Sequence, residues 1–218
     1  MRLHMSRRYV FAATAGLLIL AGSGAAALYI SRKPHIQTYP PSIKNVVAHT
    51  TAHPSEAPVV KAAYVSTAGP EEPKYISLPT IGAQGFIQKM GIDQNNQVAA
   101  PNNVNLAGWY VNSVLPGQQG LSIIDGHVDG LSSPGIFKNL NKLKVADQFT
   151  VERGDGTVLT YRVRYINSVN AEDAVKTLFS QEPTVVSELN IITCGGTFNR
   201  TSKSYEQRIV VTAELISV

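Results

Sequence analysis

The residues of this chain that could do chemistry together are one cysteine, one histidine and one arginine. Cys194 is the only cysteine, and it follows an apolar run at 189–192 that is rich in β-branched residues. His127 is the only histidine after residue 53, and Arg208 opens a second β-branched run at 209–211. A thiolate attacks a carbonyl carbon, an imidazole protonates the departing amine, and a cationic donor holds the substrate or its oxyanion. These three side chains are therefore the minimum set for thiol acyl transfer.

Each of these residues could instead be structural, because free cysteine is among the most buried residue types. Two glycines, Gly195 and Gly196, follow the sulfur directly, which indicates a close backbone approach or a positive φ at that point. We prefer Arg208 to Arg200 as the cationic partner. Arg208 opens a strand next to the one that carries the cysteine, whereas Arg200 lies within a polar loop, where a charge is usually just solvated.

Asp125 lies two residues before His127, directly after the predicted strand 120–124. Residues i and i+2 of a strand face the same way, so the carboxylate and the imidazole should share a face. A carboxylate within about 4–6 Å would raise the pKa of His127 above its usual value of about 6.5. The alternative is that Asp125 turns into solvent or bonds a loop amide, since Gly126 can redirect the chain.

The elements that would position these residues are short β-rich runs separated by turn residues. Asp155-Gly156 is a hairpin signal, and 157–169 alternates clearly between polar and apolar side chains. Helix is scarce, with candidate turns near 106–110, 134–140 and 171–179. Seven or eight short strands in one domain at 74–218 predict a mainly β protein, a barrel or sandwich. The predicted strands are 75–78, 85–92, 120–124, 147–153, 157–169, 189–194 and 208–216.

The N-terminal part of the chain predicts export. Residues 10–30 carry no charge and are long enough to span a membrane, and basic residues flank them. We interpret 1–33 as an uncleaved signal anchor, with a cleaved signal peptide as the alternative. Residues 34–73 are rich in proline and read as a flexible tether. An odd cysteine in an exported protein indicates a reactive thiol or an intermolecular bond.

The charge distribution argues against a nucleic-acid partner. Residues 1–33 carry five of the 19 Lys and Arg and none of the 15 Asp and Glu, which leaves the remainder of the chain near neutral. A nucleic-acid footprint needs a basic face on the folded part. The tether holds His35, His49 and His53, but scattered histidines in a linker are more often solvated than metal ligands. We predict no metal and no cofactor.

Three motifs contain the cysteine, the histidine and the arginine: Ile-Ile-Asp-Gly-His at 123–127, Asn-Ile-Ile-Thr-Cys at 190–194 and Arg-Ile-Val-Val at 208–211. Together they resemble the sortases, the cysteine transpeptidases of bacterial envelopes. The likeness covers about 74–218 and the N-terminal anchor, and Cys-Gly-Gly at 194–196 and Gly-His-Val-Asp at 126–129 look most like class F.

The resemblance implies an eight-stranded β-barrel in which Cys194, His127 and Arg208 converge at a groove. It implies cleavage of a Leu-Pro-x-Thr-Gly-like (LPxTG-like) sorting signal between Thr and Gly, followed by transfer to an amine of the cell envelope. We assign Thr193, retained beside the cysteine, and Asp125 to substrate binding. The protein would be a single-pass membrane protein with its catalytic domain on the extracytoplasmic side.

Two other functions remain open at this point. One is an envelope cysteine transpeptidase or peptidase that acts on peptidoglycan L,D-linkages rather than on sorting signals. Such enzymes usually carry an arginine close after the cysteine, whereas two glycines follow Cys194 here. The other is a catalytically silent domain that binds an envelope peptide, which the intact set of cysteine, histidine and arginine disfavours.

Overall fold

Eight strands close into one barrel within residues 54–93 and 97–218, which are the residues that the computed structural model describes. The strands are β1 (Pro73–Leu78), β2 (Ala83–Met90), β3 (Ala107–Tyr110), β4 (Gly120–Gly126), β5 (Gln148–Arg153), β6 (Val158–Asn170), β7 (Ser187–Asn199) and β8 (Ser204–Ser217). Their order around the barrel is β1-β2-β3-β4-β7-β8-β6-β5. Helix is limited to the five-residue α1 (Ala174–Leu178) and to two 3-10 turns, Pro79–Ile81 and Leu140–Lys142, in this part of the chain. The mainly β, eight-stranded barrel with few short helices is thus confirmed.

Alternation of side chains fills the barrel. On β6, Leu159, Tyr161 and Val163 are buried in the barrel interior, while the residues between them are exposed or half-buried. The turn between β5 and β6 contains Gly156 at a φ of 88°, as the Asp-Gly signal predicts. A second apolar cluster covers part of the outer surface beside α1. Its members include Tyr110, Leu121, Ile123, Leu178, Phe179, Ile192 and Val210.

The prediction of a helical turn at 106–110 is wrong, because Ala107–Tyr110 is the short strand β3. β3 pairs parallel with β2 and antiparallel with β4, and all four of its residues are buried. Trp109 belongs to the inner cluster and Tyr110 to the outer one. A strand buried on both faces shows no polar alternation, which is why the pattern did not indicate it.

The strands β7 and β8 are longer than the sequence pattern indicated. The prediction ended one strand at residue 194 and began the next at 208, but the hairpin continues to Asn199 and resumes at Ser204. Its register shifts between Gly195 and Phe198. Cys194 therefore lies within a strand and packs against the outer apolar cluster.

The end of the predicted tether packs against the barrel. Ser55 forms a parallel bridge with Asn103, and the ring of Tyr64 stacks on that of Phe86 with centroids 4.2 Å apart. Residues 54–72 are thus held by specific contacts, because an aromatic ring and backbone groups find partners on the barrel. The predicted anchor at 1–33 and the tether up to residue 53 lie outside the described residues. Within 54–93 and 97–218 no helix is long and apolar enough to span a bilayer.

Candidate active site

Three adjacent strands bring the cysteine, the histidine and the arginine together. Cys194 on β7 and Arg208 on β8 are direct partners in the antiparallel ladder. β4 pairs parallel with β7, and the last matched pair is Asp125 with Ile192. Continuing this register by two residues, one of them beyond the end of β4 at Gly126, brings His127 level with Cys194. The barrel therefore supplies the convergence that the spacing of 67 residues between them could not show.

The two glycines after the cysteine meet two separate steric demands. A Cβ atom at Gly195 would lie 2.8 Å from Cγ1 of Ile209 on the facing strand. Gly196 has a φ of 73°, a conformation that L side chains rarely adopt. Both halves of the prediction, close approach and positive φ, are confirmed. These glycines let the hairpin bend immediately beyond the sulfur atom.

His127 is buried and held by one backbone contact. Its Nε2 lies 2.7 Å from the carbonyl oxygen of Pro101. Because a carbonyl oxygen only accepts, Nε2 carries the proton, which leaves Nδ1 to exchange a proton with a reactant. Burial lowers the pKa of His127, while the bond to Pro101 and the charge of Asp129 oppose that effect. The neutral imidazole is thus favoured in the resting protein.

Cys194 is half-buried, and burial raises the pKa of its thiol. The charge of Arg208 lowers the same pKa, while Asp129 and Asp125 raise it. With the thiol pKa raised and the imidazole pKa lowered, the neutral thiol and neutral imidazole dominate at neutral pH. The thiolate–imidazolium pair is then a minor form, and it is the nucleophilic one.

Arg208 is the largest fully buried side chain among the described residues. Its Nη1 donates to the carbonyl oxygens of Tyr205 and Gln207, each at 2.9 Å. Its Nε is buried without a hydrogen-bond partner in the described part of the chain. A guanidinium fixed in this way opposite the sulfur can stabilise negative charge on a thiolate or an oxyanion. Arg200, by contrast, is exposed in the turn between β7 and β8.

The other two predicted site residues are buried beside the catalytic set. Thr193 donates its hydroxyl to the carbonyl oxygen of Gly126 at 2.7 Å and so ties β7 to β4 next to His127. Asp125 is 1% exposed, and neither carboxyl oxygen has a hydrogen-bond partner among the described residues. A Cβ atom at Gly108 would lie 2.3 Å from Oδ1 of Asp125. The assignment of both residues to substrate binding stays a prediction.

The predicted rise in the pKa of His127 does not occur, and Asp125 is not among the groups that shift this pKa. Burial raises the pKa of Asp125 well above its usual value, so the carboxyl is neutral over a wide pH range. A neutral carboxyl cannot stabilise an imidazolium, and the pKa of His127 is lowered rather than raised. The carboxylate that favours the imidazolium is Asp129. Asp125 also neither reaches solvent nor bonds a loop amide, which were the alternatives for it.

Sequence reasoning overlooked Asp129 and its partner Tyr205. The hydroxyl of Tyr205 donates to Oδ2 of Asp129, which joins β8 to the loop after His127. Both residues line a cavity of 290 Å³ together with Cys194. The signal was present, because Asp129 lies two residues after His127, as Asp125 lies two before. The remaining lining residues are Val128, Phe137, Lys138, Asn141, Thr193, Gly195, Gly196 and Ile209.

A strap formed by residues 55–57 holds the two loops that flank His127. Its Glu56 carboxylate accepts from the backbone N–H groups of Leu131 and Ser132 and from the hydroxyls of Ser132 and Ser133. These bonds, led by the Ser132 hydroxyl, lower the pKa of Glu56 to about 2. The backbone of the strap is also hydrogen-bonded to the loop at 102–105, which adjoins Pro101. The N–H of Ser55 donates to the carbonyl oxygen of Asn102, and the carbonyl oxygen of Ser55 accepts from the N–H of Val104.

Comparisons with known proteins give the following likenesses. A family profile described as the sortase domain matches residues 76–216. Sortase A from Corynebacterium diphtheriae is 26% identical with a TM-score of 0.51, and the match covers 72% of this chain and 64% of that one. Its lid mutant is 26% identical with a TM-score of 0.53, covering 72% of this chain and 75% of that one.

A complex of Streptococcus agalactiae sortase C1 with MTSET is 20% identical with a TM-score of 0.51, covering 69% of this chain and 72% of that one. At that identity the likeness concerns the fold alone. No curated protein sequence matches the chain.

Proposed function

Because the chain belongs to the sortase family, whose members are cysteine transpeptidases that act on sorting signals, we propose that it cleaves an LPxTG-like signal between Thr and Gly and transfers the acyl group to an amine. The observation that carries this proposal is the cross-strand pair of Cys194 and Arg208, with His127 directly after the end of the neighbouring strand β4. A thiol, an imidazole with a free Nδ1 and a fixed guanidinium are the groups that thiol acyl transfer needs.

In the first half-reaction the Cys194 thiolate attacks the carbonyl carbon of the threonine. The oxyanion that forms is stabilised by the buried guanidinium of Arg208. The imidazolium of His127 gives its proton to the glycine nitrogen as the C–N bond breaks. The products are a thioester on Cys194, a free amine and a neutral imidazole.

In the second half-reaction an amine attacks the thioester carbonyl. The C–N bond forms, the C–S bond breaks, and the neutral His127 accepts a proton from the attacking nitrogen. The sulfur leaves as a thiolate opposite Arg208. Water in place of the amine would release a carboxylic acid, which would make the same site a protease.

The finer classification and the location belong to the same proposal. The Cys-Gly-Gly and Gly-His-Val-Asp segments support class F among the sortases. The uncharged run at 10–30 with its basic flanks supports a single membrane anchor, which would hold the catalytic domain on the extracytoplasmic side. Substrates would then be proteins of the cell surface, and the acceptor would be an amine of the envelope.

Mass spectrometry of the full chain with an LPxTG-type peptide and triglycine tests the proposal. We expect a thioester adduct on Cys194 and a peptide joined to triglycine, and neither with Cys194→Ala. Transfer by Cys194→Ala above background would refute the nucleophile assignment. Labelling of Cys194 by a peptidyl vinyl sulfone without any turnover would instead indicate a silent peptide-binding domain, and turnover of L,D-linked peptides alone would indicate the peptidoglycan enzyme.

A further inference from the structure

The cavity beside Cys194 contains a carboxylate to which the two half-reactions above give no role. Asp129 is half-buried in the loop after β4, and it lines the cavity with Cys194. The hydroxyl of Tyr205 donates to its Oδ2, and Phe198 packs edge-on against the Tyr205 ring with centroids 5.2 Å apart. The carboxylate is therefore held in place from the opposite wall rather than left as a mobile surface charge.

The charge of Asp129 works against the first half-reaction. It raises the pKa of the Cys194 thiol and so reduces the fraction of nucleophilic thiolate. Arg208 has the opposite effect on the same thiol. The second half-reaction has a different requirement, because the acceptor amine is mainly an ammonium at neutral pH and must come close to the thioester. A fixed carboxylate beside the sulfur meets that requirement.

We propose that Asp129, held by Tyr205, binds the ammonium group of the acceptor amine in the cavity beside Cys194. This inference rests on the proposed transpeptidase function. Lys138 is the only cation among the residues that line the cavity. Because its side chain is exposed, solvent screens its repulsion of an incoming ammonium group. The acceptor class is accordingly a primary amine that carries a positive charge when it arrives.

Transfer to the bound amine requires the nitrogen to lose two protons as the C–N bond forms and the C–S bond breaks. The ammonium bound at Asp129 loses one proton to solvent and becomes the neutral amine. Its nitrogen attacks the thioester carbon, the C–N bond forms and the C–S bond breaks. The second nitrogen proton passes to the neutral imidazole of His127, and Cys194 leaves as the thiolate. The amide is released, and the resulting thiolate–imidazolium pair then relaxes to the neutral pair.

The test is how the thioester of the full chain divides between transfer and hydrolysis. With a saturating LPxTG-type peptide and varied triglycine, we expect Asp129→Asn to raise the KM for triglycine about tenfold, the loss expected for one hydrogen bond to a charged group. Hydrolysis should be unchanged or faster, because the thiol pKa falls. Tyr205→Phe, which keeps the ring but removes the donor, should give a smaller rise.

Two controls separate charge recognition from general damage. Glu206→Gln removes one negative charge from the residue after Tyr205, on the opposite face of β8, and should leave the KM for triglycine unchanged. Hydroxylamine is largely uncharged at neutral pH, so its KM should be the same for wild type and Asp129→Asn.

The possible failures are distinguishable. A wild-type chain that forms no thioester with the peptide would refute the proposed function. Thioester formation and transfer by wild type, with an unchanged triglycine KM in Asp129→Asn, would refute the ammonium site alone. An equal loss of transfer and hydrolysis in Asp129→Asn, or an equal loss with hydroxylamine, would also refute it, because a binding site for the ammonium affects only the charged acceptor.

Discussion

The strand that leads into His127 and the loop that leaves it each carry an aspartate two residues from the imidazole. Asp125 on β4 is 1% exposed, has no hydrogen-bond partner among the described residues, and has a pKa raised well above its usual value by burial. Asp129 in the loop is half-buried, accepts from Tyr205, and acts as a charge on both His127 and Cys194. The spacing is the same, but burial and hydrogen bonding differ.

This difference shows that sequence spacing predicts the position of an aspartate relative to His127 but does not predict whether its carboxyl is ionised. The two-residue period assigns both aspartates to the neighbourhood of the histidine. Whether a carboxyl is ionised depends on what covers it. β3 packs over Asp125 so closely that Gly108 leaves no room for a Cβ atom. Asp129 instead opens onto the cavity that also contains the thiol.

The largest expected effect concerns Arg208, the cation that lowers the pKa of the Cys194 thiol, which both aspartates raise. Arg208→Ala removes the one group that lowers the Cys194 pKa, and with it the donor for the oxyanion. We expect kcat/KM to fall by about 10²–10³. Arg200→Ala, in the exposed turn, is the control and should keep most of the activity. A reversed outcome in peptide cleavage assays would exchange the two assignments.

The thiol pKa compares the two aspartates directly. Asp129→Asn should lower the pKa of Cys194, because a nearby negative charge disfavours the thiolate. Asp125→Asn should lower it by less, because Asp125 contributes less than Asp129 to the raised thiol pKa. The rate of iodoacetamide alkylation against pH measures both values. An equal shift of the thiol pKa in the two variants would remove the contrast between the aspartates.

The loop after His127 also differs from β4 because it is hydrogen-bonded to Glu56 of the N-terminal strap. Glu56→Gln weakens the bonds to the loop at 130–133 and so loosens the strap over Pro101 and His127. We expect kcat/KM to fall about twofold to fivefold, in the range of exposed charge contacts. The acidic limb of the pH–rate profile should move to lower pH, because the Pro101 bond that raises the His127 pKa is weakened.

Glu71→Gln is the matched control, since Glu71 is an exposed carboxylate of the same N-terminal segment. Glu71→Gln should change neither kcat/KM nor the pH of the acidic limb. A fall in rate with an unmoved limb in Glu56→Gln would mean that the strap stabilises the fold without acting through the histidine.

The sequence predicted those parts of the molecule that depend on local pattern. The alternation in β6, the glycines after Cys194 and the position of Arg208 on a strand next to Cys194 all follow from residue types and spacing. β3 could not be predicted in that way, because its burial on both faces comes from neighbours that are distant in sequence. The pairing of Asp129 with Tyr205 spans 76 residues and exists only once the barrel has closed.

The smallest effect on turnover is expected for Asp125→Asn, which replaces a neutral carboxyl with a neutral amide of the same shape. Its effect should be on stability against pH. The folded-state pKa of Asp125 lies well above the unfolded value of about 3.9, so the folded protein keeps this proton longer. The stability from Asp125 is full below the unfolded pKa and is lost as pH rises through the folded one.

Between about pH 4 and the folded-state pKa of Asp125, this carboxyl should therefore lower the unfolding free energy of wild type by up to about 1.4 kcal/mol per pH unit. Asp125→Asn should lack this contribution. Glu188, whose pKa burial raises to about 7, adds a similar slope to both proteins and cancels in their difference. Urea unfolding at several pH values measures the two curves. Parallel curves would show that Asp125 is not held neutral, and the contrast with Asp129 would then have to rest on geometry alone.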